Sequence, residues 1–143
     1  MSTSIEQHPD ILALRAGYER AAESATAQAT FGLTLLTAVY AALSPWIVGF
    51  NMSEPRLAVN DLIVGLTVAV LALGFASALD RTHGITWTLP LFGVWTIICP
   101  WILRGVDPSA GMIWSNVVAG ALITIFGLAA PYLGMRGRSL AAR

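Results

Sequence analysis

The chain has 143 residues, of which 56% are hydrophobic and only 11% charged, and its mean hydropathy is +0.70. A soluble domain carries about 25% charged residues, so a water-facing surface of ordinary charge density is excluded. Eight acidic residues balance eight arginines at zero formal net charge, which argues against nucleic acid as a partner.

The charges that exist are confined to a few short stretches. Residues 24–53, 62–79, 84–103 and 108–135 carry none. Each run can supply the ~20 apolar residues that cross ~30 Å of hydrocarbon. The expected fold is therefore an all-α membrane protein with four transmembrane helices, and no length remains for a soluble domain.

In chain order, residues 1–28 come first and are too polar for the bilayer core. Pro9 can open a helix. Ile11, Leu14, Tyr18, Ala22 and Ala25 then recur at helical spacing, opposite Arg15, Glu19, Arg20 and Glu23. That pattern predicts a short amphipathic helix lying on the cytoplasmic membrane surface. Ala25-Thr26-Ala27 precedes the apolar run instead of following it, so the first helix is expected to be retained and not cleaved as a signal peptide.

The first membrane helix is expected over 29–48. Thr34, Ala38, Ala41 and Ala42 give it a stripe of small residues. Pro45 falls near its end and removes a donor, and Ser44 can return a hydrogen bond to a nearby carbonyl. Trp46 suits the headgroup depth. Residues 51–60 read as a polar turn, and the second helix is expected from Asp61 to about residue 79, with Gly65 on its small-residue face. After a tight turn at 80–84, the third helix is expected over 85–103, with Pro90 early and Pro100 late. A second polar turn at 104–111 leads to a fourth helix over 112–133 that contains Gly120. A basic cytoplasmic tail at 135–143 closes the chain.

Ser44-Pro45-Trp46-Ile47 and Cys99-Pro100-Trp101-Ile102 stand fifty-five positions apart. At the same offset Ala38 falls on Gly93, Tyr40 on Trp95, Asp61 on Asn116 and Gly65 on Gly120. The pattern reads as an internal duplication whose unit is a helical hairpin, 29–79 and then 85–134. These residues resemble the SPW repeat family of small prokaryotic integral membrane proteins, over roughly residues 31–133. The resemblance implies two tandem transmembrane hairpins, each with a Ser-Pro-Trp near the end of its first helix, and it brings no biochemical activity with it. Cys99 departs from the family serine.

Arginine counting sets the expected orientation. Arg15, Arg20, Arg81, Arg136, Arg138 and Arg143 fall on one side, and Arg56 and Arg104 on the other. Both termini are therefore expected in the cytoplasm, with both Pro-Trp motifs outside, and the resemblance implies that the membrane is a prokaryotic inner membrane. A unit of two spans keeps one orientation in both copies. The copies can then be related only by an axis along the membrane normal, which closes the inverted-repeat route to alternating access.

Groups able to carry chemistry are sparse. His8 and His83 lie in the tail and a turn, Cys99 is the single cysteine, and no metal or cofactor site is expected. Asn60 and Asp61, with Asn116 at the matching place, read as polar partners at helix starts, where they suit the orphan amides and the dipole. An intramembrane carboxylate is also a functional candidate. An indole N–H of Trp46 or Trp101 bonded to Asp61 or Asn116 would lock each hairpin. The functional expectation is a non-enzymatic scaffold, accessory subunit or small oligomer in contact with lipid and with itself or a larger membrane complex. The alternative is a small-solute channel or carrier lined by Thr34, Thr37, Thr67, Thr96 and Thr124.

Overall fold

A computed structural model describes residues 5–23, 25–78 and 83–141. The described residues form five α-helices, α1 (Pro9–Glu23), α2 (Ala25–Val48), α3 (Pro55–Ser77), α4 (Thr88–Ile102) and α5 (Ala110–Ala141). Short 3-10 turns at Ile5–Gln7 and His83–Ile85 complete them, and no strand is present among the described residues. Asp80 and Arg81 of the expected inner turn and Arg143 of the tail lie outside the described residues, as do the side chains of Tyr18, Ala22, His83, Arg136 and Arg138.

Helices α2, α3 and the Ala110–Ala129 portion of α5 are each long and apolar enough to cross a membrane. Helix α4 is not: its 15 residues reach only about 22 Å at 1.5 Å per residue. The expected start at residue 85 is replaced by a 3-10 turn, and Pro90 sits in the first turn of the α-helix, where its missing donor costs little.

Helix α2 packs along α3, and α4 along α5; α2 also lies against α5, while α3 and α4 touch over a much smaller length. The approach of α2 to α3 depends on Gly65. A Cβ there would stand 2.6 Å from the Ala42 nitrogen and 2.7 Å from the Ala38 oxygen. Gly120 does the same for the second pair, 2.5 Å from the Gly93 oxygen and 2.9 Å from the Ile97 nitrogen. Ala38 and Gly93, like Gly65 and Gly120, are the residues matched by the fifty-five-residue offset.

The core is made mostly of small and aromatic side chains. Ala27, Phe31, Ala38, Val64, Val68, Ala69, Phe75, Leu89 and Ile123 form one cluster, with the Phe31 and Phe75 rings 6.1 Å apart. A second cluster of Phe50, Leu57, Cys99 and Met112 closes the end where the two longer turns lie. Large aliphatics instead face outward: Leu36, Leu43 and Ile47 on α2, Ile63, Leu66 and Val70 on α3, Leu91 and Val94 on α4, and Ile125 and Leu128 on α5 are all exposed. Small residues inside and large apolar ones outside is the arrangement expected when hydrocarbon, not water, surrounds the molecule.

Three expectations are corrected. Helix α3 begins at Pro55, not Asp61, because proline at the first position presets φ and needs no donor. Leu57 and Ala58 then bury themselves at once, so residues 55–60 of the expected turn are helix. Helix α5 continues to Ala141 instead of ending near residue 133, so the expected tail is largely helical. Helix α1 exists, but it packs against α5, with Gly17 buried and Ile11 half-buried, while Leu14 and Ala25 of the expected apolar stripe are exposed.

The two longer turns are tied to each other. Arg56 Nη1 donates to the Arg104 carbonyl at 2.7 Å, and the Asp107 amide donates to Glu54 Oε1 at 3.1 Å. Gly49 and Gly105, at φ of 89° and 77°, supply the left-handed residues that turn the chain out of α2 and α4.

Candidate functional site

Each proline of the repeated motif lies inside its helix, three residues before the end of α2 and two before the end of α4. A proline leaves the carbonyl four residues back without its helical donor. For Pro45 that carbonyl is Ala41, and Ser44 Oγ donates to it at 2.8 Å. For Pro100 it is Thr96, and the Cys99 thiol supplies a weak bond at 3.3 Å. The residue before each proline thus replaces the hydrogen bond that the proline removes. Ser44 and Cys99 are buried, and so are the prolines.

Trp46 and Trp101 point the other way, 52% and 55% exposed. The expected lock between these indoles and Asp61 or Asn116 is therefore corrected. Asn60, Asp61 and Asn116 are not helix-start residues either. Asp61 stands six residues past the first residue of α3, and Asn116 six past that of α5, so both are in the second turn. There the carboxylate turns inward and is 2% exposed, as is Asn116.

Asp61 is held by amides from two helices. Asn60 Nδ2 donates to Oδ1 at 3.2 Å, and Asn116 Nδ2 donates to Oδ2 at 3.3 Å while also reaching the Met112 carbonyl at 3.1 Å. Cys99 Sγ lies 3.9 Å from Asp61 Oδ1 and 3.7 Å from Asn116 Oδ1. One thiol hydrogen cannot serve three acceptors, and the Thr96 carbonyl is the nearest. Every buried side-chain nitrogen and oxygen among the described residues has a partner.

Two outer bonds complete the cluster, and sequence reasoning missed both. Trp95 Nε1 on α4 donates to Asn60 Oδ1 on α3 at 3.0 Å. Tyr40 on α2 and Ser115 on α5 share a hydroxyl bond, also at 3.0 Å. Tyr40 and Trp95 are one offset pair, and Asn60 and Ser115 are another. The signal was present: each aromatic with a polar tip faces a polar residue one position before the Asp61 or Asn116 of the opposite pair of helices.

Chemically the cluster is an acceptor surrounded by donors. The groups that donate to Asp61 are two amides, with the Cys99 thiol at van der Waals distance and its hydrogen turned to the Thr96 carbonyl, and no cation lies among them. Among the described residues no group of three or more His, Cys, Asp or Glu side chains is placed to hold a metal ion. His8 is solvent-facing, 3.6 Å from Asp10.

No curated protein and no solved structure matched this chain. A family model described as the SPW repeat domain matches residues 28–130, which takes in both Pro-Trp motifs and every member of the buried cluster. The chain belongs to the SPW repeat family.

Proposed function

We propose that the chain is a non-enzymatic integral protein of a prokaryotic cytoplasmic membrane that serves as a scaffold, accessory subunit or small oligomer. In this reading α2 to α5 span the bilayer as two tandem hairpins, with both termini cytoplasmic and the tied turns of Arg56 and Arg104 outside. The short α4 crosses with help from the residues before it and from local thinning of the bilayer.

The observation that supports a structural over a transport role is the state of the threonines. Thr34, Thr37, Thr67, Thr96 and Thr124 each donate to the carbonyl four residues back in their own helix, at 2.7–2.8 Å. Hydroxyls spent in this way offer a passing solute little. The buried carboxylate is likewise committed to neighbours that tie helices together.

The test is purification from native membranes in a mild detergent, followed by reconstitution in vesicles. The expected result is a stoichiometric companion, either another membrane protein or further copies of the chain, and vesicles no leakier than lipid alone. A saturable solute flux that Asp61→Asn abolishes without loss of folded protein would replace this reading with a carrier.

A further inference from the structure

Between α3 and α4 lies an open slot of about 400 Å³, lined by Val64, Thr88, Leu91, Phe92 and Trp95. Its origin can be read from the offset pairs. Where α2 lies close against α5, the matching positions hold Ala119, Thr37 and Tyr40 in place of Val64, Phe92 and Trp95. Each residue on the α3–α4 side is the bulkier of its pair, and together they hold α4 away from α3.

The walls have no unspent side-chain donor. Thr88 Oγ1 donates to the Ile85 carbonyl at 2.7 Å, and the Trp95 N–H is taken by Asn60. What remains is aliphatic and aromatic surface, the lining of an apolar ligand site. Leu91 of the lining is exposed, and the nearby α3 and α4 residues Ile63, Leu66 and Val94 are exposed too, so the surface around the slot is apolar. An empty slot would forfeit dispersion contacts along both walls. Because α3 and α4 touch, a helix from a second copy, about 10 Å across, would have to prise them apart to enter, and a linear alkyl chain is the thinner occupant.

We propose that the slot holds one acyl chain of a membrane phospholipid, wedged between α3 and α4 as a resident lipid. The inference rests on the membrane reading above. With no side-chain donor free in the lining, the slot selects the chain and is indifferent to the headgroup.

The test uses the full-length protein. Retention in membranes through an alkaline carbonate wash checks the membrane reading first; release by the wash overturns that reading before any lipid is counted. Protein that stays is extracted in mild detergent and exchanged against phosphatidylglycerol or phosphatidylethanolamine of matched chains, and bound lipid is counted by native mass spectrometry. The expected result is one phospholipid per chain with either headgroup, falling to none in Val64→Phe and Leu91→Phe, which fill the slot from its wall and its rim. If Val64→Phe does not fold, Leu91→Phe on the exposed rim carries the comparison. No retained lipid in the parent protein, equal retention in the filled variants, or retention of one headgroup alone overturns the proposal. So does a Leu91→Cys disulfide that joins two copies across the slot.

Discussion

Asn60 accepts the Trp95 indole and donates to Asp61, so one amide relays between α4 and the buried carboxylate. Trp95→Phe removes the N–H and keeps the ring, at a cost of roughly 0.5–1.5 kcal/mol. Asn60→Ala costs more, because Asp61 also loses a donor. The double variant should cost less than the sum, since both changes delete the same bond. Trp46→Phe with Asp61→Ala should be additive, because Trp46 faces outward. Thermal unfolding in detergent across both cycles checks this; additivity in the first cycle would remove Asn60 as the link. At this scale the sequence was half legible. The need for a donor beside each proline follows from covalent geometry, whereas the inward turn of Asp61 depends on Pro55 starting the helix early.

Helix pairing rests on where a side chain is absent. Gly65→Ala or Gly120→Ala puts a Cβ into the backbone of the facing helix, so either should destabilise by roughly 1–3 kcal/mol. A Cβ at Gly32 or Gly74 meets nothing within 4 Å, so alanine there should stabilise by roughly 0.5–1 kcal/mol through helix propensity alone. Melting temperatures of the four variants test the contrast, and equal effects at all four would discount close helix approach. Gly65 was legible as a packing position because it stands on a small-residue face, and Gly120 because the fifty-five-residue offset matches it to Gly65. The docking of α1 on α5 was not, since an amphipathic stripe shows that a helix wants a partner and does not say which. The length of α4 was hidden too, because the charge-free run 84–103 includes residues that fold as a 3-10 turn and a bend.

For the whole molecule, the proposed orientation places the turns after α2 and α4 on one side and the inner turn and C-terminus on the other. A periplasm-active reporter should give signal when fused at Pro55 or Pro108 and none at Arg81 or Arg143. Signal at Arg81 would reverse the placement of both motifs. The Arg56–Arg104 and Glu54–Asp107 bonds agree in putting the two outer turns at one end of the bundle.

The buried carboxylate also imposes an order on synthesis. Among the described residues, Asn60 is the one donor to Asp61 from the first half of the chain; Asn116 comes from the second, as does the Trp95 that steadies Asn60. In the proposed membrane placement, while only the helices up to α3 are made, the side of Asp61 that α4 and α5 will cover faces lipid. At the centre of a spanning helix a carboxylate costs roughly 3 kcal/mol on translocon-based scales, and less in the second turn, where Asp61 stands. The nascent first half is therefore better held near the headgroups, or beside the insertion machinery, than settled at full depth. In that placement, insertion of the second half and completion of the cluster are expected to coincide.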